Sequence, residues 1–235
     1  MSEAMRRDEL AANLAAVRSR VDAAAAAAGR DAAGIRLVVV TKFFPAADVR
    51  TLAGLGVAEV AESRHQEASQ KTAELADLEL VWHFVGNLQS NKAAAVAGYA
   101  DVVQSVDRRK LLAPLSRGAH ERGRPLEVTV QVQLDAEPDA ARGGARPEEV
   151  AALADAVAAT EGLQLRGLMA VAPLGEPPAP AFDRLARLAA RLREDHPEAT
   201  WISAGMSGDL EQAVSAGATL LRVGSAVLGP RPSAR

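Results

Sequence analysis

The chain has 235 residues, of which 49% are hydrophobic and only 3% aromatic, with 27 basic against 30 acidic side chains for a formal charge of −3. That length suits one large domain or two small ones, and its core must be filled mainly by Leu, Val, Ile and Ala. The near-balanced charge gives no general attraction for nucleic acid or an anionic membrane. The lack of cysteine excludes disulfides, thiolate metal sites and a cysteine nucleophile, and fits a reducing compartment.

The segment from Met1 to Glu9 is polar and acid-containing, with no apolar stretch behind it, which argues against a secretory signal. The alanines from Ala23 to Ala28 are too few to span a bilayer. The expectation is a cytoplasmic protein without a membrane segment. Leu10, Leu14, Val17 and Val21 are spaced four, three and four apart among charged residues. That spacing predicts an amphipathic helix over residues 3–28, stopped by Gly29 and packed across an end or side of the remaining fold.

From there the chain alternates. Strand-like runs are expected at residues 35–41, 57–61, 80–85, 100–106, 126–134, 163–172, 200–203 and 219–223. Helix-like stretches separate them at residues 46–55, 64–76, 91–97, 108–122, 147–160, 181–194 and 208–216, and a last short helix is expected near Ser225. Repeated βα units imply a parallel sheet. Eight of them in this length suit a single (β/α)₈ TIM barrel with an additional N-terminal helix. An open doubly wound sheet is the alternative, but no glycine-rich dinucleotide fingerprint comes after the first strand. Two longer loops are expected after strands, at residues 135–146 and at 173–180 with its four prolines, both on the active face of a barrel. Residues 1–235 thus read as one domain, opened by a helical segment over 1–29 and closed by a loose tail over 230–235.

In a barrel the residues just past the strand ends converge at one mouth. The first strand runs into Lys42. A lysine at the end of an apolar strand either snorkels to water or sits partly dry, loses its proton readily and becomes a nucleophile toward carbonyls. After the seventh strand come Met206, Ser207, Gly208 and Asp209, and after the eighth Gly224 and Ser225, each ahead of a helix. Free N–H groups and hydroxyls there suit an anion, although either turn alone would pass as ordinary capping. Arg222, inside Leu220-Leu221-Arg222-Val223, needs a partner for a buried charge. His83, inside Val81-Trp82-His83-Phe84-Val85, reads equally as a core histidine or a ligand group. His65, His120 and His196 read as surface helix positions. Nothing shows convincing metal spacing or a hydrolase triad. A Schiff-base lysine opposite a phosphate site fits pyridoxal 5′-phosphate (PLP), or a class I aldolase acting on a phosphosugar.

Five segments make the reading specific. They are Val39-Val40-Thr41-Lys42, Trp82 through Lys92, Gly167-Leu168-Met169, Ser203 through Asp209, and Arg222 through Gly229. In these the chain resembles the pyridoxal phosphate homeostasis protein family along nearly its whole length. The resemblance implies a barrel like the N-terminal domain of bacterial alanine racemase. It implies Lys42 carrying PLP as an internal aldimine, with Ser207, Gly224 and Ser225 on the phosphate. Arg222 would face the pyridine nitrogen, and Met206 and His83 would line the pocket. An arginine there cannot accept a proton, which suits holding the cofactor better than carbanion chemistry.

Two positions depart from the family. Ala61-Glu62-Ser63 stands where Gly-Glu-Asn is usual, so Ser63 lacks an amide and would reach the ring only through water. Arg142 stands where lysine is usual. The implied function is PLP binding, homeostasis and delivery to PLP-dependent apoenzymes, without strong catalysis. A racemase-like enzyme is the alternative. It would need a second base, and the one tyrosine, Tyr99, lies near the start of the fourth strand. The missing second domain of the racemases, which forms their dimer, implies a monomer.

Overall fold

The computed structural model describes residues 2–135 and 143–230. Its strands are β1 (Arg36–Val40), β2 (Glu59–Glu62), β3 (Val81–Phe84), β4 (Val102–Val106), β5 (Leu126–Val132), β6 (Leu163–Ala170), β7 (Trp201–Ser203) and β8 (Leu220–Val223). All are parallel and lie in chain order, and β8 pairs back onto β1 to close a barrel. The helices are α1 (Glu3–Ala27), α2 (Ala46–Gly54), α3 (His65–Glu74), α4 (Ala93–Ala97), α5 (Leu112–Arg122), α6 (Val150–Ala158), α7 (Pro178–Asp195), α8 (Leu210–Ser215) and α9 (Ser225–Leu228). No helix among the described residues is long and apolar enough to cross a membrane.

Alternation along each strand sorts the side chains into two layers. One face of the strands, with Val39, Val60, Phe84, Val103, Val128, Leu168, Ile202 and Val223, joins the helices in the main core. The other lines the barrel, where Val38, Ala61 and Leu220 form a small apolar cluster of their own. α1 is the element outside the repeat. Its predicted stripe of Leu10, Leu14, Val17 and Val21 is buried, and it packs along α2, α8 and α9. Ser2 caps it by accepting the Met5 N–H at 3.3 Å. Charged side chains then fasten it sideways, Arg6 to Asp48 on α2 at 2.7 Å and Arg20 to Glu211 on α8 at 2.7 Å.

The structure revises some boundaries. α7 begins at Pro178 rather than at Ala181, because Pro177 takes the extended cap conformation and Pro178 fills the first turn, where its missing N–H costs nothing. The proline-rich loop shortens accordingly. The helices after β3, β4 and β5 open with 3₁₀ turns at Ser90–Lys92, Arg109–Leu111 and Pro147–Glu149. Most of the other expected loop, Arg142 included, and the tail beyond Pro230 lie outside the described residues.

β5 and β6 slip register between Val128 and Thr129, leaving Arg166 as the extra residue. Gly167, next to it, has φ of +148°, and a Cβ there would stand 1.9 Å from the Trp201 carbonyl oxygen on β7. Neither the backbone angle nor the space admits a side chain. Gly167→Ala is expected to lower unfolding stability by roughly 3 kcal/mol in urea titrations.

Candidate functional site

The barrel interior is threaded by one hydrogen-bonded chain of polar side chains. Arg222 on β8 donates from Nη1 to Ser203 Oγ on β7 at 2.6 Å, and from Nη2 to the Ala170 carbonyl at 2.8 Å. Ser203 Oγ donates in turn to Gln104 Oε1 on β4 at 2.6 Å. Gln104 Nε2 lies 2.8 Å from His83 Nδ1, and His83 Nε2 lies 3.0 Å from Glu59 Oε2. Arg36 grips the same Glu59 carboxylate with two bonds of 2.7 Å.

The order of donors leaves little freedom. Ser203 spends its single proton on Gln104, so the Gln104 carbonyl accepts and its amide donates to His83 Nδ1. His83 is therefore neutral, with its proton on Nε2 facing Glu59. Burial likewise favours the neutral ring, holding its pKa below the ordinary 6.5 against the pull of Glu59. Burial lowers Arg222 to about 10, and it stays a cation at neutral pH, 4% exposed.

At the C-terminal mouth, the turns after β7 and β8 meet. Ser207 Oγ accepts the Ala226 N–H at 3.1 Å and the Ser225 hydroxyl at 3.2 Å. Gly205, at φ of +91°, lets the first turn fold back, since a Cβ there would press on Ala213 Cβ at 2.6 Å. Asp209 Oδ1 takes the Met206 N–H at 2.6 Å and fixes the loop, leaving Met206 38% exposed at the rim. Arg20 reaches over from α1 and donates twice to the Ser207 carbonyl at 3.1 Å.

Across the β1–β8 seam stands the turn that carries Lys42. Gly224 packs so near that a Cβ would lie 3.2 Å from the Val40 carbonyl oxygen. Lys42 is half-buried, its Nζ 5.9 Å from the Phe43 ring. Phe43 has φ of +72°, the one non-glycine residue with positive φ among those described. This conformation costs an aromatic residue roughly 1–2 kcal/mol and has to be held by its surroundings. Beneath it, Glu62 takes the Thr41 hydroxyl at 2.6 Å, and Lys71 on α3 donates to Glu62, Glu67 and the Thr41 carbonyl.

The structure thus gathers Lys42, Met206, Ser207, Gly224 and Ser225 at one mouth, with Arg222 directly below. Ser63 follows β2 at the same end, half-buried, its carbonyl so near Gly86 that a Cβ there would stand 2.0 Å away. His83 does not open on the mouth. It is 1% exposed, both ring nitrogens are engaged, and it reaches Arg222 only through Gln104 and Ser203. Of the helix histidines, His120 is exposed, His196 meets Asp155 at 2.9 Å, and His65 stacks on Tyr99 and meets its hydroxyl at 3.4 Å. Sequence reasoning misses Glu59, Gln104, Glu67 and Lys71. Gln104 carries a signal, a long polar side chain inside Val102-Val103-Gln104-Ser105-Val106.

Comparison with known proteins supplies a family. The model of the alanine racemase N-terminal domain matches residues 5–232. A pyridoxal phosphate homeostasis protein of Mycobacterium tuberculosis is 47% identical over 245 residues, covering 96% of this chain and 94% of its own. The solved structure of PipY from Synechococcus elongatus, with PLP bound, is 35% identical and aligns with a TM-score of 0.82 over 94% of this chain and 100% of its own. Alanine racemase from Streptomyces coelicolor shares the fold, with a TM-score of 0.75 at 19% identity over 94% of this chain and 58% of its own. With a matching family model and a near-full-length relative at that identity, the chain belongs to the pyridoxal phosphate homeostasis proteins and carries their alanine-racemase-like barrel.

Proposed function

We propose that the barrel mouth binds PLP, with Lys42 Nζ as the amine that captures its aldehyde, and that the chain holds and releases the cofactor for PLP-dependent apoenzymes. Bound PLP supplies an aldehyde whose oxygen an amine displaces as water, reversibly. One observation carries the reading: the lysine turn after β1 and the paired serine turns after β7 and β8 flank a single seam. The site fits the group. The Ser225 hydroxyl and the Ala226 N–H both lie within 3.2 Å of the Ser207 hydroxyl, a grouping of donors that suits a phosphate. Ser207, Gly224 and Ser225 take the phosphate, and Met206 and Ser63 form part of the wall. The homeostasis relatives and PLP-bound PipY support PLP as the ligand.

Arg222 is assigned to the pyridine nitrogen. Its guanidinium can only donate, so it leaves that nitrogen unprotonated and weakens the electron withdrawal on which amino-acid chemistry relies. This favours holding over turnover. Tyr99 does not oppose it. Burial, aided by the charge of Glu62, pushes the Tyr99 hydroxyl pKa well up, and the group meets His65 at the start of α3.

Incubation with PLP should give a yellow protein whose borohydride-reduced adduct maps to Lys42. The reading fails if the label lands elsewhere or nowhere. At a hundredfold excess over Kd, PLP should add about 2.7 kcal/mol of stability. That corresponds to a rise of roughly 5–10 °C in Tm for a chain of this size. Handover is tested by mixing loaded protein with an apoenzyme and a scavenger of free PLP. Activation that the scavenger abolishes would argue against direct delivery.

The interior chain gives a second prediction. At pH 7, ¹⁵N shifts of His83 should report a proton on Nε2 and none on Nδ1. A protonated Nδ1 would overturn the assigned order of donors. Since the folded-state pKa of His83 lies below 6.5, the unfolded chain takes up this proton first, and stability present above that pH is lost on acidification. Burial works to raise Glu59, yet hydrogen bonds from His83 and Arg36 hold it at about 2 against an ordinary 4.5, adding a further loss between those values. Urea midpoints should therefore fall steadily below neutrality. Gln104→Leu, which cuts the chain at its centre, should weaken PLP binding by roughly tenfold.

A further inference from the structure

The backbone on both sides of Lys42 is gripped by charged side chains of α3. Phe43 N–H donates to Glu67 Oε1 at 2.6 Å. The same oxygen accepts from Lys71 Nζ at 2.7 Å. Lys71 Nζ donates also to the Thr41 carbonyl at 2.8 Å and to Glu62 Oε1 at 2.7 Å, so all three ammonium protons have acceptors. Arg64, at the start of α3, lays its guanidinium 4.7 Å from the centre of the Phe43 ring. Arg64, Glu67 and Lys71 form one stripe of the helix, and every contact named falls on Thr41, on Phe43 or on a neighbour in the same cluster.

We infer that Glu67, through the hydrogen bonds its Oε1 accepts from the Phe43 amide and from Lys71 Nζ, is a positioning residue for the Lys42 amine. A tether between α3 and the barrel does not need charges. Lys71 is 6% exposed and Glu62 1%, and Glu62 Oε2 has no hydrogen-bond partner among the described residues. Burial pushes the Glu62 pKa up despite Lys71 and Thr41. Apolar contacts would join helix to sheet at less desolvation cost. What apolar contacts cannot do is bind an N–H and a C=O on either side of one residue. That is what a turn with φ of +72° at Phe43 needs if Lys42 is to stand in one place. Capture of an aldehyde is sensitive to such placement, because a displacement of about 1 Å can slow a reaction by roughly a hundredfold.

The inference rests on Lys42 as the capturing amine, and its test separates the two. Full-length wild type, Glu67→Ala, Glu67→Gln and, as a control, Arg50→Ala, which breaks an exposed ion pair with Asp77 beyond the far end of α3, are each treated with PLP. Borohydride quenching over time and peptide mass analysis give the rate of labelling at Lys42. In parallel, acetic anhydride without PLP gives Lys42 reactivity against pH, and hydrogen exchange follows the Phe43 amide. Glu67→Ala is expected to slow PLP labelling about tenfold, shift the acetylation profile and lose Phe43 protection. Glu67→Gln keeps the acceptor oxygen and should restore all three to within about threefold. Arg50→Ala should leave them unchanged. Wild-type behaviour of Glu67→Ala in acetylation and exchange overturns the positioning role, as does a Glu67→Gln variant as impaired as Glu67→Ala. If wild type takes no PLP on Lys42, the capture reading fails, while acetylation and exchange still decide whether Glu67 governs Lys42.

Discussion

Strand β8 meets β1 through a run of registered pairs, from Arg36 opposite Leu220 to Val39 opposite Val223, and with that seam the sheet has no open edge. The seam also sets which loops become neighbours. One residue beyond the last pair, Gly224 lies against Val40, and the chain then goes on to Lys42 on one side and Ser225 on the other. Residues nearly the whole chain apart thereby share one mouth. A methyl group on Gly224 would push at the Val40 carbonyl, so the smallness of one residue and the pairing of two strands act as a single constraint.

Closing the sheet creates an interior from which water is largely excluded, and the side chains pointing into it must satisfy one another. Here they do so as a line rather than as separate pairs. Each donor's partner fixes the next group's orientation, from Arg222 to Ser203, Gln104, His83 and Glu59. Such a line is stable only when complete, since an unpaired member in a dry interior costs more than its bond contributes. At the far end Arg36 lies over Trp201, as does Arg166, which pairs with Glu127. The order imposed on Arg222 at the mouth is thus anchored at the opposite end of the barrel.

How much of this is legible in the sequence depends on range. Each strand and helix is announced within its own few residues, and the βα order comes from counting them. The mouth is legible for a related reason: in a parallel barrel all strand ends face one way, so Lys42, Ser207 and Ser225 converge by topology alone. The interior line is not legible, because its partners are remote. Ser203 and Gln104 are 99 positions apart, and nothing local tells a glutamine in an apolar strand which serine it will meet. Glu67 and Lys71 carry the spacing of an ordinary surface pair on a helix, i and i+4. Only the fold turns that face toward Thr41 and Phe43. The start of α7 is obscured by a different effect. Its prolines signal a loop when counted as composition, yet Pro178 is a good first residue of a helix.

The two sides of the mouth are built alike. On the lysine side, α3 holds the turn through Glu67 and Lys71. On the serine side, α1 holds it through Arg20, which grips the Ser207 carbonyl with both terminal nitrogens while pairing with Glu211. In both, a charged side chain from outside the barrel binds backbone at the rim, so the turn's shape is set by the protein before any ligand arrives. A site ordered in advance loses little conformational entropy on filling and regains little on emptying. Its affinity then rests on the contacts themselves, one reversible bond at Lys42 and a phosphate cradle on the proposed reading. On that same reading, such an arrangement allows release without remodelling the barrel. It also explains why a helix outside the eightfold repeat matters to the site: without α1, the Ser207 turn would lose the cation that fixes it from behind.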